Sequence, residues 1–456
     1  MVCVSFACGG SRSEDEQVGS EETGASTEVL DGSTSTSSDG SAESSVGATE
    51  ADEDTGSDDT QGEPPQELCG EGPWTCIPTD PTGPYGSRTF DVPAAQNWVN
   101  TGLYLEAGQT ATITEDGSWF VNAGEGNAID HGPCVIGDLV ARIGLHYKDP
   151  ALTCVHGSAT FVADKSGILF VGGLPENDLG EVYEARIAAM GHKTVTVTSE
   201  GATVPTVEAF EAADYPYALV TSGWVEIRGA HTILTLPTAT ALQDAAVLAD
   251  SVERIDLMYE LEEELRGAVP QHGQRIRFFP DATVESFAYM LAGNPVRMVP
   301  VLVDAGFADR ISQLAMPGVD NWGVAHELGH DFTFVGRLWW YQENSLEAWP
   351  NLFSIYVFEA LGLPLHQEIA GCSTDSAPMP YVANWNPWAG LCFLMQFQYR
   401  YGWSFYETFF DQLNALDPAS VPSGPAAWTF NHDRFEAIAG EDITPIFQAW
   451  GVPNPG

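Results

Sequence analysis

Residues 324–332 read Val-Ala-His326-Glu327-Leu-Gly-His330-Asp-Phe. Side chains four apart on a helix lie on one face, so this spacing predicts a helix from which His326 and His330 reach one divalent ion. The intervening Glu327 then points at the open coordination position. Whatever else the chain does, its fold has to present that helix face. The competing reading is a core-facing helix whose histidines are coincidental.

The next segment weighs against coincidence. A catalytic zinc takes three protein ligands and keeps a fourth position for water. No third histidine follows at the spacing HExxHxxGxxH, so the third ligand is expected to be a carboxylate, and both Glu343 and Glu347 are within reach. His366 and His432 stand alone and read as structural.

Composition divides the rest of the chain. Up to Glu67 it is dense in Asp, Glu, Ser, Thr and Gly with almost no apolar residue. Such a stretch cannot bury a core and is expected to be an extended linker. With 64 acidic residues against 17 basic ones, a formal net charge of −47, nucleic acid and anionic bilayers are unsuitable partners, because binding them by counterion release needs basic patches. The first residues, ending Ala7-Cys8-Gly9, resemble the tail of a bacterial lipoprotein signal with a lipid anchor at Cys8. The basic segment is missing, and Ser5 stands where an aliphatic residue is usual.

Beyond Cys3 and Cys8, six cysteines form three local couples: Cys69 with Cys76, Cys134 with Cys154, and Cys372 with Cys392. That pairing follows proximity alone. The absence of any CxxC favours disulfides and an oxidising, extracytoplasmic compartment, secreted or at the cell surface. No run of eighteen apolar residues occurs, so membrane attachment would need a lipid.

From Arg88 to Ser199 short alternating runs, such as Gly108-Gln-Thr-Ala-Thr-Ile-Thr and Lys193-Thr-Val-Thr-Val-Thr-Ser, predict a β-sandwich. After Val204-Pro-Thr, strands are expected at Trp224-Val-Glu-Ile-Arg, Thr232-Ile-Leu-Thr-Leu and Arg275-Ile-Arg-Phe-Phe. One long amphipathic helix is expected over Leu242 to Arg266, with Glu262-Glu263-Glu264 on its solvated face. The expected fold is multidomain: an N-terminal β-sandwich, then an α/β zincin-type catalytic domain with a mostly α-helical C-terminal subdomain. The expected boundaries are 1–8 for the signal remnant, 9–67 for the linker, 68–87 for a cysteine-stapled connector, 88–200 for the sandwich and 208–454 for the catalytic domain.

Two resemblances extend this reading. Trp98-Val-Asn-Thr-Gly-Leu-Tyr-Leu, Gly117-Ser-Trp, Leu139-Val-Ala-Arg-Ile-Gly and Ser166-Gly-Ile-Leu-Phe resemble the galactose-binding lectin A-like β-sandwich family. That likeness implies glycan binding through Ca²⁺. Asn177-Asp178 offers hard oxygen ligands, but Leu179-Gly-Glu-Val-Tyr-Glu replaces the Asn-rich continuation, which leaves a purely structural sandwich open as well. The second resemblance runs from Tyr215 to Pro453. It is carried by Trp224-Val-Glu-Ile, Tyr289-Met-Leu-Ala-Gly-Asn-Pro, His326 to His330, Glu347 with Asn351-Leu-Phe-Ser354, Tyr401-Gly-Trp403 and Asp442-Ile-Thr-Pro-Ile-Phe-Gln-Ala-Trp450-Gly451. These stretches are similar to the enhancin-like, mucin-degrading zinc metallopeptidases, metallopeptidase family sixty.

That resemblance implies His326, His330 and Glu347 as Zn²⁺ ligands, with Glu343 in reserve, and Glu327 as the catalytic base. It also implies an endopeptidase acting on extracellular, O-glycosylated protein. Leu291 stands where the family has His, and Pro350 is expected in the first turn of its helix. Trp339, Trp340, Trp385 and Trp388 read as packing for the helical subdomain, or as surfaces that stack on sugars. The alternative function is a surface adhesin or glycan-binding protein with an inactive zinc domain.

Overall fold

In the computed structural model the described residues are 83–452 apart from 95–97, 122–133, 136, 147–148, 150, 174–188, 286–287, 305, 313–318, 335–344, 366–371, 373–377, 379–386, 418–419 and 423–424. The signal remnant, the linker, the Cys69 and Cys76 couple, Asn177-Asp178, Glu343, His366, Trp339, Trp340 and Trp385 lie outside them.

The alternating runs of the first lobe form β1 (Pro84–Pro93), β2 (Val99–Leu105), β3 (Thr110–Val121), β4 (Leu139–Ile143), β5 (Thr153–Val155), β6 (Ser158–Val162), β7 (Gly167–Gly173) and β8 (Ala189–Thr203). Period-two patterning sorts their faces. On β8, Val195 and Val197 enter the core, while the hydroxyls of Thr196 and Thr198 pair with those of Thr89 and Ser87 at 2.7 and 2.8 Å. Among the described residues all eight strands join one antiparallel sheet, in the order β5-β4-β7-β2-β8-β3-β6 with β1 also on β8, where the sequence predicts two stacked sheets. The end strands β5 and β6 are consecutive in the chain, joined only by His156 and Gly157, so the sheet curls round its own core of Leu103, Ile113, Leu169 and Val197. The Cys134–Cys154 disulfide is formed beside it.

The second lobe is built on β9 (Thr206–Glu208), β10 (Trp224–Arg228), β11 (Thr232–Pro237), β12 (Ile276–Pro280), β13 (Met290–Leu291) and β14 (Val296–Met298), in the order β13-β14-β12-β11-β10-β9. The predicted strands at 224, 232 and 275 are β10, β11 and β12. β13 is the edge strand and runs antiparallel to β14. The helices are α1 (Thr238–Asp244), α2 (Leu248–Arg266), α3 (Phe307–Ser312), α4 (Val319–Phe334), α5 (Ser345–Ala360), α6 (Pro387–Tyr401), α7 (Ser404–Asn414), α8 (Pro425–Ala439) and α9 (Thr444–Ala449). Trp349, Phe353, Phe397, Tyr406, Phe409, Phe410 and Phe435 form the core of the helical part, where the Cys372–Cys392 disulfide is also formed. Trp388 packs against this core, 6.2 Å from Trp322, as the packing reading expects.

Three local expectations are corrected. The helix over Leu242 to Arg266 is broken by a 3₁₀ turn at Ala245–Val247. Asp244 turns inward to accept the N–H groups of Gly306 and Ala308, which anchors the end of α1 to α3. Glu262 is fully buried rather than solvated. It lies seven residues after the buried Ile255, on the stripe that α2 turns toward α4, and leaves only Glu263 and Glu264 toward water. Pro350 is the sixth residue of α5, past the first turn, and the helix continues through it.

The two lobes share a buried seam. The Phe279 ring stacks on Trp224 and meets Phe170 and His146 of the first lobe edge-on. Arg297 donates from Nε to the Leu145 carbonyl at 2.6 Å, and Asp281 lies 3.0 Å from His146 Nδ1. Arg297 on β14 is paired in register with Leu291 on β13, so the seam reaches the edge strand within one ladder step.

Candidate metal centre

α4 and α5 carry the site. Both are apolar along most of their length, which drives them into the core, and Gly329 lets them approach closely. A Cβ there would lie 2.9 Å from the Pro350 carbonyl oxygen and 3.0 Å from its Cα. At this crossing His326 and His330, one turn apart on α4, face Glu347 in the first turn of α5.

The structure brings these three residues together. His326 Nε2 is 3.0 Å and His330 Nε2 3.7 Å from Glu347 Oε2. One ligand atom from each residue lies within 4.8 Å of the others. Donors around a tetrahedral zinc at its usual bond lengths stand about 3.3 Å apart, a separation these contacts bracket. Glu347 Oε1 is buried and receives no hydrogen bond among the described residues, as an acceptor set aside for a cation would be. The residues therefore fit a zinc ion. His432, expected to be structural, is buried 3.2 Å from the Thr444 hydroxyl.

Electrostatics separate the two carboxylates. Burial pushes the Glu327 carboxyl up; the two imidazoles pull it back and Glu347 pushes it further, for a net rise that makes it a stronger base. A hydrogen bond from the Ala292 N–H, just past β13, holds it in place. Burial also favours neutral Glu347, yet the His330 charge and the contacts to both imidazoles hold it well below the usual range, so it is ionised. Burial disfavours charge on His326, but the Glu347 hydrogen bond and the charges of Glu327 and Glu347 outweigh it and raise its pKa.

Two contacts escaped the sequence reading. The Ala292 N–H carries no side-chain signal. Asn351, noted only as part of a motif, lies 2.8 Å from His326 Nδ1; its place one turn after Glu347 on the same helix face is the signal that points to it.

Residues 219–451, 233 of the 456, match the family described as Peptidase M60, enhancin and enhancin-like. The chain belongs to this M60 family. Among curated proteins, TRPM8 channel-associated factor 3 of Rattus norvegicus is 25% identical over 380 residues, covering 78% of this chain and 38% of that protein. This M60 chain thus spans well under half the length of that relative. A functionally unknown conserved protein, a mutant, from Bacillus anthracis superposes with a TM-score of 0.58 at 16% identity, covering 81% of this chain and 77% of that one. The M60 catalytic domain of ZmpC from Clostridium perfringens, solved in complex with the sialyl T antigen, gives a TM-score of 0.50 at 15% identity over 80% of this chain and 74% of that one. Both likenesses are of fold, and both cover more of the chain than the 219–451 match, so they take in part of the curled sheet.

Proposed function

We propose that this chain is a zinc-dependent endopeptidase acting on extracellular, O-glycosylated protein. The observation that carries the reading is the convergence of His326, His330 and Glu347 with Glu327 buried on the same helix. When bound, zinc supplies Lewis acidity toward a carbonyl and acidifies a coordinated water. Glu327 takes the proton of the attacking water as its oxygen bonds to the scissile carbon, then passes that proton to the departing amine as the C–N bond breaks. No covalent link to the protein forms. β13, which ends the sheet among the described residues, supports internal cleavage: a peptide that added to it as a further strand would be held along its middle and need no free terminus. A glycosylated substrate is supported by the M60 membership and by the glycan in the ZmpC complex.

The two disulfides support an extracytoplasmic location, and no helix among the described residues is long and apolar enough to cross a membrane. The curled sheet is read as the lectin A-like accessory unit. A second reading, a binding protein that keeps the fold without the chemistry, draws on the relatives named for association with a channel; the intact Glu327 weighs against it.

The test is zinc content together with cleavage of a mucin by wild type and Glu327→Gln. The expected result is zinc retained in both, with cleavage reduced about 10²–10⁴-fold in the variant. Cleavage unchanged by Glu327→Gln would remove the assigned base. Zinc binding without cleavage by the wild type would favour the binding protein.

A further inference from the structure

The His326 imidazole has two nitrogens, and the residues around the ring decide which one carries the proton. Nδ1 stands 2.8 Å from Asn351 Oδ1, and Nε2 stands 3.0 Å from Glu347 Oε2. The Asn351 amide cannot be turned end for end. Its Nδ2 donates at 2.7 Å to the Glu347 backbone carbonyl, a group that only accepts. Its Oδ1 accepts at 3.2 Å from the Trp322 indole N–H, a group that only donates. With the amide fixed from both sides, Oδ1 presents nothing but lone pairs to His326. Nδ1 must therefore carry a proton and donate it to Oδ1, which leaves Nε2, the nitrogen that faces Glu347, as the one that would hold zinc. Trp322, Asn351 and His326 are 5%, 4% and 3% exposed, which leaves bulk water little access to replace any of these bonds.

We propose that Asn351 is the positioning residue of the metal centre: locked between Trp322 and the Glu347 carbonyl, it holds His326 in the Nδ1-protonated tautomer and ties that ring to the helix carrying Glu347. This rests on His326, His330 and Glu347 holding zinc. One amide thereby sets the direction of a ligand on α4 and braces the residue on α5 that supplies another. Residues that orient a ligand imidazole in this way act on metal affinity as well as on rate.

The test uses the full chain, with zinc affinity read by chelator competition and thermal melting of the zinc-free forms alongside. Asn351→Leu, which removes the acceptor, is expected to weaken zinc binding by about 10–100-fold while the zinc-free protein still melts cooperatively. Asn351→Asp keeps an oxygen facing Nδ1 and is expected to recover most of that loss. Should Asn351→Leu fail to fold, Asn351→Ala removes the same acceptor with a smaller side chain and carries the same expectation. Zinc bound as tightly by the acceptor-free variant as by wild type would overturn the inference, and so would an Asn351→Asp variant as impaired as Asn351→Leu. A wild type that binds no zinc would instead overturn the metal reading, and this inference with it.

Discussion

Gly329→Ala puts one methyl group into the tightest contact between α4 and α5. The added carbon would sit 2.9 Å from the Pro350 oxygen, 3.0 Å from its Cα and 3.2 Å from Phe353 Cβ. Ordinary contact begins near 3.4 Å, so α5 must retreat by about 0.5 Å, and two of the three obstacles are backbone atoms that cannot rotate away. Overpacking of this kind costs about 1–3 kcal/mol, and the better helix propensity of alanine offsets about 1 kcal/mol of it. The net loss of about 0–2 kcal/mol lowers the melting temperature by only a few degrees in a domain of this size. The metal centre is far less tolerant. Glu347 moves with α5 while both histidines stay on α4, and bond lengths at zinc hold within about 0.2 Å. Zinc affinity measured by chelator competition should therefore fall about tenfold or more, out of proportion to the small thermal shift. A folded Gly329→Ala protein with wild-type zinc affinity would show that the helix spacing does not govern the site.

Glu262 and Arg297 offer tests away from the ligands. Burial, with the Asp331 charge added, pushes the Glu262 carboxyl well up. Its contribution to stability is complete below the unfolded value near 4.3 and is lost as pH rises through the raised folded value. Glu262→Gln, which stays neutral, should thus raise the melting temperature more at pH 8 than at pH 5; equal shifts at both would contradict a protonated Glu262. Arg297→Met removes the donor to Leu145 and the guanidinium 3.9 Å from buried Asp281. Asp281 keeps His146 and Thr283 as partners, so the cost is that of the stranded Leu145 carbonyl: urea unfolding should show a loss of about 1–3 kcal/mol, and no measurable loss would mean that this bond does not hold the seam.

What could be read in advance was what short-range periodicity encodes. The spacing of His326 and His330 is a helical period, and β10, β11 and β12 announce themselves by apolar runs rich in β-branched and aromatic residues. What could not be read depends on partners distant in sequence. The break after Asp244 is set by backbone groups at Gly306 and Ala308, and the burial of Glu262 by the packing of α4. The same holds for the sheet of the first lobe: Phe90 pairs with Val195 across more than a hundred residues, and no local pattern says whether such strands make one sheet or two. Glu347 was separable from Glu343 only through family resemblance, because both are acidic and both follow the histidines.

Phe279 belongs to the second sheet, yet two of its ring neighbours, His146 and Phe170, come from the first. Cutting the polypeptide between Thr203 and Thr206 would turn that ring and the face of Trp224 out into solvent and strip Arg297 of the carbonyl it binds. A truncated protein beginning at the second sheet would carry a raw, aggregation-prone surface along that sheet. The smallest piece that keeps its shape is the pair of lobes, and the curled sheet is as much a wall of the second lobe as a neighbour to it.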